Sequence, residues 1–192
     1  MKGMKQGQII SVNTGKPRQV EWRGRTVRTG IYKESVLGPV WISKLNLQGD
    51  AQADLTVHGG IDQAVYVYPS EHYDFWRKLY PDLQFPWGMF GENLTTEGLL
   101  ESAVSTGDRF RFGTVELTVT KPRFPCYKLG MKFGTERIIR EFLQSLRSGF
   151  YLSVLKEGSV EAGDTIELIE KTQNAATIEE IVMQKAKKQK AL

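Results

Sequence analysis

Short segments of alternating residues, separated by turns that contain glycine, make up most of the chain and limit the folds it can adopt. Glycine occupies 19 of the 192 positions. In Asp108–Phe112 charged residues alternate with Phe, Gly113-Thr114 turns the chain, and Val115–Thr120 alternates back. Because neighbouring side chains of a strand point to opposite faces, this pattern predicts a half-buried antiparallel pair.

Further segments of the same kind predict more of a β-rich fold. Gln8–Val12 is predicted to be a strand. Gln19–Trp22 and Arg25–Thr29 flank an Arg-Gly turn, which predicts a hairpin. Phe150–Leu155 and Thr165–Ile169 are predicted to form another pair, around two intervening glycines.

Three segments with helix-start signals interrupt these strands. Ser70 is predicted to cap a helix over Glu71–Tyr80, which Pro81 ends. Thr135 is predicted to cap a helix over Glu136–Arg147, whose apolar residues recur at helical spacing. A capping box, Thr177-Ile178-Glu179-Glu180, predicts a third and mostly polar helix.

Few helices separate the strands, whereas a doubly wound α/β fold requires strands and helices to alternate. The chain is therefore predicted to be mainly β, with a closed, largely antiparallel β-barrel and peripheral α-helices. We place the barrel domain at residues 1–172 and a short C-terminal helical appendage at residues 173–192. The lysine-rich end of that appendage is expected to be a solvated tail.

The positive charge is concentrated in two blocks, although the net charge is only +4. Residues 1–33 carry eight basic residues and one acidic residue, and residues 121–148 carry seven and two. The blocks either converge on one anion-binding concavity or form two solvated faces. Because the basic residues are interleaved with turns, nucleic-acid binding is not predicted.

Scarce residues and missing motifs exclude several kinds of chemistry. Cys126 is the single cysteine, which rules out an internal disulfide, a Cys-x-x-Cys redox pair and a cysteine-based zinc finger. His58 and His72 are the only histidines. No phosphate-binding Gly-x-x-x-x-Gly-Lys-Ser/Thr loop, Gly-x-Ser-x-Gly elbow or His-Glu-x-x-His is present. We expect a cytoplasmic protein without a membrane partner, because no apolar run has the length of a bilayer span or a signal peptide.

Cys126 is the strongest candidate for chemistry. It lies in the basic, proline-containing segment Lys121–Lys128, where three cations favour the thiolate form. Pro122 and Pro125 cannot both donate to a central strand ladder, so the segment is predicted to leave the sheet just after Thr120. A lone cysteine is often a small buried apolar residue, but these surroundings favour a reactive or metal-binding thiol.

Other short segments offer groups that bind anions or heterocycles. Gly59 and Gly60 follow His58, and their backbone amides could approach a ligand closely, or the segment is simply a tight turn. Arg28 and Lys33 could clamp a phosphate. Asn93 has both a donor and an acceptor for the edge of a heterocycle, or it forms a turn beside Gly91.

In their order and spacing these segments resemble the MOSC family, domains similar to the C-terminal domain of molybdenum cofactor sulfurase, and in particular its YiiM-type branch. The resemblance spans about residues 8–170. The matching segments are 28–33 (Arg-Thr-Gly-Ile-Tyr-Lys), 49–54 (Gly-Asp-Ala-Gln-Ala-Asp), 57–60 (Val-His-Gly-Gly), 91–94 (Gly-Glu-Asn-Leu), 107–108 (Gly-Asp) and 123–128 (Arg-Phe-Pro-Cys-Tyr-Lys).

The resemblance implies a β-barrel with a cysteine in a basic pocket and the molybdenum cofactor (molybdopterin), not pyridoxal phosphate, as the bound group. By resemblance, Cys126 would be the molybdenum ligand or a sulfur carrier, and Arg123 and Asn93 would contact the cofactor. Arg28, Lys33 and His58 would line its anionic end.

Three functions stay open from the sequence. The leading one, implied by the resemblance, is the terminal component of a reductase for N-hydroxylated compounds such as hydroxylaminopurine bases. Because no flavin, haem or iron–sulfur motif is visible, its electrons would come from a donor protein. The alternatives are sulfur transfer through a persulfide on Cys126 and a non-catalytic module that binds an anion or cofactor. A homo-oligomer is left open.

Overall fold

A computed structural model describes residues 4–51 and 59–190, so His58 and the remainder of residues 52–58 lie outside the described residues. Within the described ranges the chain forms twelve β-strands and four α-helices. The strands are β1 (Met4–Thr14), β2 (Arg18–Trp22), β3 (Arg25–Thr29), β4 (Glu34–Val36), β5 (Val40–Ile42), β6 (Val65–Pro69), β7 (Leu94–Glu97), β8 (Arg109–Phe112), β9 (Val115–Pro122), β10 (Phe150–Lys156), β11 (Gly158–Val160) and β12 (Thr165–Glu170). The helices are α1 (Tyr73–Leu79), α2 (Tyr127–Phe133), α3 (Arg137–Gln144) and α4 (Ile178–Lys190), and 3-10 turns lie at Ile61–Gln63 and Ser70–His72.

Seven strands close into a barrel. Around the ring their order is β1, β12, β8, β9, β10, β6 and β7, and β7 pairs with β1 again. The β6–β7 pair is parallel, whereas the other neighbours in the ring are antiparallel. The closed, largely antiparallel barrel expected from the sequence is therefore confirmed.

The hairpin of β8 and β9 has the alternation that the sequence predicts. Phe110, Phe112, Val115 and Leu117 are buried in the barrel core. Arg109 and Arg111, which alternate with the phenylalanines, are partly exposed and pair with Glu170 and Glu167 of β12. Each phenylalanine stabilises the fold by about 1.5–3 kcal/mol relative to an exposed one. The predicted hairpin of β2 and β3 also forms, as a separate two-stranded sheet.

The expected pairing of β10 with β12 is wrong. β10 lies between β9 and β6, and β12 lies between β8 and β1. The short strand β11 pairs with β5 in a second sheet, and it takes the chain away from β10 before β12 begins. The glycines mark where the chain turns, but closure of the barrel decides which strand it reaches.

The three predicted helices form. α1 and α3 are shorter than predicted, whereas α4 continues through the lysine-rich segment to Lys190. Ser70 does not cap α1, because it lies in the 3-10 turn that precedes the helix. The Thr135 hydroxyl accepts a hydrogen bond from the amide of Arg137, the first residue of α3. Both bonds of the capping box at α4 are present: Glu180 N–H donates to Thr177 Oγ1, and Thr177 N–H donates to Glu180 Oε2. The sequence did not predict α2.

Two apolar clusters occupy the two faces of β6. Val65 and Val67 belong to the barrel core, whereas Tyr66 and Tyr68 belong to an aromatic cluster that α1, α2 and α3 cover. The principal aromatic members of that cluster are Tyr66, Tyr68, Tyr73, Trp76, Phe85, Phe90, Phe133 and Phe142. None of the helices in the described ranges combines the length and hydropathy that a bilayer span requires.

Candidate functional site

A pocket opens beside the aromatic cluster, where segments distant in sequence meet. It borders that cluster through Tyr66 and Phe90. Its charged and polar lining comes from the segments after β3 and β5, before β6 and β7 and between β9 and α2, and from α2 and β10 themselves. These residues are Lys33, Asp50, Gln63, Asn93, Arg123, Cys126, Lys128 and Tyr151.

The pocket unites most of the site residues predicted from the sequence. Lys33 and Arg123 come from the two basic blocks, and both line it together with Asn93, Cys126 and Gly59. One cation from each basic block therefore reaches the same concavity, as the first of the two interpretations of the charge distribution predicts.

Three predicted residues are not placed in the lining. Arg28 is exposed on β3, outside the pocket wall. Gly60 follows the lining residue Gly59 and begins the turn at Ile61–Gln63 without lining the pocket itself. His58 lies outside the described residues, so its role stays a prediction.

Arg123 carries a buried charge with an unsatisfied donor. Only 6% of the residue is exposed, and its guanidinium carbon lies 5.0 Å from the ring centre of Phe142 and 5.6 Å from that of Tyr66. Among the described residues, Nη1 has no hydrogen-bond partner. Buried donors in native proteins are almost always paired, so this atom is available for an acceptor in the pocket.

The tyrosines beside Arg123 do not neutralise it. Burial raises the pKa of the Tyr151 hydroxyl, although the charge of Arg123 lowers it in part. Burial also raises the pKa of Tyr66 well above its ordinary value, and the Tyr66 hydroxyl donates a 2.8 Å hydrogen bond to the Ser148 carbonyl. Both phenols are therefore neutral near pH 7, and the guanidinium keeps its positive charge.

Lys33 is paired with an acid that the sequence analysis did not single out. Its Nζ lies 2.5 Å from both carboxylate oxygens of Asp50. Burial lowers the pKa of Lys33, and the charge of Asp50 opposes this shift. Asp50 lies in segment 49–54, which resembles the family, and this resemblance was the one sequence signal that could have identified it as a site residue. The contact joins residues that only the tertiary fold brings together.

Asn93 links two strands of the barrel through its backbone and its amide. The side-chain Oδ1 accepts from Tyr66 N–H at 3.0 Å, and Asn93 N–H donates to the Tyr66 carbonyl at 2.8 Å. Its Nδ2 donates to Asp50 at 2.7 Å. These bonds fix the orientation of the amide and leave one of its two N–H groups for other partners.

Glu92 holds the loop that forms the pocket wall at Phe90 and Gly91. Its carboxylate accepts from Gly88 N–H at 2.8 Å, Phe90 N–H at 3.0 Å and the Thr95 hydroxyl at 2.9 Å, and also from the Tyr73 hydroxyl. Glu92 is fully buried, so these four donors replace the water that the carboxylate has lost.

Lys132 holds the same loop from the other side. Its Nζ donates to the Gly88 carbonyl at 2.6 Å and to the Ile31 carbonyl at 3.1 Å. Burial lowers the pKa of Lys132 to about 8, and nearby cations add to this effect while Glu92 opposes it. Neither Lys132 nor Glu92 was predicted from the sequence to have a role in the site.

Cys126 lies immediately before α2 with its thiol half-buried in the pocket lining. β9 continues to Pro122, two residues beyond the predicted exit at Thr120, and Arg123 N–H still donates to Gly149 at 3.3 Å. Cys126 is then the residue preceding the helix, and its carbonyl accepts from Leu129 N–H. Across the described residues, no three His, Cys, Asp or Glu side chains are grouped as a metal site.

Comparisons with known proteins agree on one family. Residues 54–167 match the family model of the MOSC domain. The chain is 41% identical to YflK of Bacillus subtilis (strain 168), over 89% of this chain and 77% of that protein. It is 36% identical to a protein named reductase from Gibberella moniliformis, covering 87% of this chain and 30% of the fungal protein. The crystal structure of YiiM from Geobacillus stearothermophilus has a TM-score of 0.78 and 35% identity, covering 95% of this chain and 85% of that one.

Proposed function

Because the chain belongs to the MOSC domain family, we propose that its pocket binds the molybdenum cofactor (molybdopterin) and that the protein is the terminal component of a reductase for N-hydroxylated compounds. Hydroxylaminopurine bases are the substrates that we propose. The observation that carries the proposal is the buried Nη1 of Arg123, which has no partner within residues 4–51 and 59–190 and lies in the same pocket as Cys126.

The pocket residues fit such a group. An anionic oxygen of the ligand would satisfy Nη1 of Arg123, a buried donor for which the described part of the chain offers no acceptor. The Cys126 thiolate is a soft ligand of the kind that transition metals bind. Tyr66, Phe90 and Tyr151 present aromatic surfaces against which a flat heterocycle can pack.

The proposed reaction defines what must reach the pocket. Reduction of an N-hydroxyl group to N–H breaks the N–O bond, takes up two electrons and two protons, and releases water. When bound, the molybdenum cofactor would supply this two-electron chemistry. We propose that a separate electron-donor protein provides the electrons and that the reaction takes place in the cytoplasm. In this scheme Cys126 holds the metal, and Arg123 binds the anionic end of the cofactor.

The test is the molybdenum and pterin content of the full chain purified from a host that makes molybdopterin. We expect both in the wild-type protein. Second-shell ligands alone change metal affinity by about 10- to 100-fold, so Cys126→Ser should lower molybdenum at least about tenfold. Arg123→Gln should lower molybdenum and pterin together, because the anionic end loses its donor.

Arg140→Gln is the matched control, because Arg140 is exposed on α3 outside the pocket and its loss should leave both contents unchanged. Equal and negligible molybdenum in the wild type and Cys126→Ser would contradict the cofactor role. A gain of one sulfur atom on Cys126 after incubation with a cysteine desulfurase, seen by mass spectrometry and absent in Cys126→Ser, would then support the persulfide alternative. The exposed fraction of the thiol is what makes that alternative chemically accessible.

A further inference from the structure

Asp50 lines the pocket, yet its carboxylate binds groups of the protein. Oδ1 accepts from the backbone N–H of Gly15 at 3.1 Å, and Oδ2 accepts from Nδ2 of Asn93 at 2.7 Å. The Lys33 ammonium lies 2.5 Å from both oxygens. Three segments that are distant in sequence therefore meet at this one side chain.

The pair of Asp50 and Lys33 contributes no net charge to the pocket. The side chains are only 5% and 8% exposed, so solvent screens the pair far less than it would a surface ion pair. Arg123 differs from Lys33 because it lies against the rings of Phe142 and Tyr66, in the same pocket as Cys126, and its Nη1 has no partner among the described residues. The two buried cations of the lining are thus electrostatically unequal.

We propose that Asp50 is a positioning residue that sets the anion selectivity of the pocket. Its carboxylate pairs with the Lys33 ammonium and accepts a hydrogen bond from the Asn93 amide, so neither group is free to bind a ligand through that contact. An anionic group therefore binds at Arg123 and not at Lys33. This assignment differs from the phosphate clamp that the sequence predicts for Lys33. The proposal rests on the proposed function only in assuming that the ligand is an anion. It applies to any anion that binds in the pocket.

The test measures the affinity of inorganic sulfate for the cofactor-free full chain by isothermal titration calorimetry, at low ionic strength and about pH 6. Sulfate keeps its charge across the working pH range. Asp50→Asn leaves Lys33 uncompensated and should tighten sulfate binding about three- to tenfold. Lys33→Met leaves the negative charge of Asp50 uncompensated and should weaken sulfate binding by a similar factor.

The double variant Asp50→Asn/Lys33→Met decides between pairing and direct binding. It replaces a neutral pair with a neutral pair, so its affinity should return to within about twofold of the wild type. A Lys33 that clamps the anion itself would leave the double variant as weak as Lys33→Met, which would overturn the proposal. Undetectable sulfate binding in both the wild type and Asp50→Asn, or any other order of affinities, would also overturn it.

Two controls separate charge from folding. Asp82→Asn and Lys78→Met make the same chemical changes at exposed positions outside the pocket, and they should leave sulfate affinity unchanged. Circular dichroism and thermal unfolding identify a variant that does not fold. If Asp50→Asn alone is unfolded, the comparison of Lys33→Met with the double variant still tests the proposal. Failure of the proposed function appears instead as missing molybdenum and pterin, whatever the order of sulfate affinities.

Discussion

At the scale of single residues, three cations in and beside the pocket are in different states. Lys33 is neutralised by Asp50, and Lys132, behind the pocket wall, is held by the carbonyls of Gly88 and Ile31. Arg123 retains a donor that has no partner within the described ranges. A guanidinium does not lose its proton in a protein, whereas a buried ammonium readily does. Arg123 is therefore the group best suited to keep a permanent charge in this pocket.

Lys132 should make the stability of the protein depend on pH. Its pKa is lowered from an ordinary 10.5 to about 8, mainly by burial. Between these values the unfolded chain binds the proton and the folded chain does not, so the free energy of unfolding rises with pH across this window. The neutral amine still donates to the carbonyls of Gly88 and Ile31.

The prediction is tested by urea unfolding of the wild type and Lys132→Met from pH 7 to pH 10. The stability of the wild type relative to the variant should increase with pH above 8, and the comparison cancels the titration of other groups. Lys156→Met, at an exposed position, should show a difference that is independent of pH. A wild-type advantage that is constant or falls across the window would contradict the lowered pKa of Lys132.

At the scale of elements, the loop from Gly88 to Glu92 depends on one buried carboxylate. Glu92→Gln places an amide donor against hydrogen-bond donors, because both oxygens of Glu92 accept from the protein. An unsatisfied buried group costs about 1–3 kcal/mol. The amide nitrogen meets three donors in place of Oε1 or one in place of Oε2, and the remaining bonds lose a charged acceptor. We expect a loss of about 2–4 kcal/mol in the free energy of unfolding, measured by chemical denaturation.

The same variant should weaken sulfate binding, because the loop carries Phe90 and Gly91 of the pocket wall. Glu161→Gln is the control: it makes the same change at an exposed position and should alter the free energy of unfolding by less than about 0.5 kcal/mol. Wild-type stability of Glu92→Gln would show that the carboxylate is not what holds the loop.

Sequence periodicity predicts elements that are amphipathic and misses those that are not. The β8–β9 hairpin alternates Phe with Arg, and its register follows from that pattern. β6 is buried on both faces, with valines inside the barrel and tyrosines outside, so it has no polar face to reveal it. The helix α2 has only seven residues and contains Gly130, which leaves little periodic signal.

At the scale of the whole molecule, closure of the barrel determines which distant residues and strands meet, and these contacts could not be predicted from the sequence. Cys126 could be predicted as a candidate site residue because its basic, proline-containing neighbours are adjacent in sequence, whereas the role of Arg123 was implied by the family resemblance. The pairing of Asp50 with Lys33 could not be predicted, because no sequence pattern joins two residues 17 positions apart and only the fold brings them together. The pairing of β10 and β12 was wrong for the same reason: their true partners are set by the order of strands around the ring.

The C-terminal helix α4, which the sequence suggests is an appendage, packs with the barrel core. Ile178, Val182 and Ala186 are buried in the same apolar cluster as the barrel strands, and Ile178 N–H donates to the carbonyl of Val104 at 2.8 Å. If residues 1–172 and 173–192 share one core, they should unfold together.

Val182→Ala tests this coupling across the molecule. Val182 is 0% exposed, and its truncation should lower the free energy of unfolding by about 1–3 kcal/mol. Met183→Ala, one residue along the helix at a position 36% exposed, should cost less than about 0.5 kcal/mol. Tryptophan fluorescence, which reports the four tryptophans including the buried Trp76, and far-ultraviolet circular dichroism should give coincident transitions in both variants. Separate transitions, with the fluorescence midpoint unmoved by Val182→Ala, would instead establish α4 as an independent appendage.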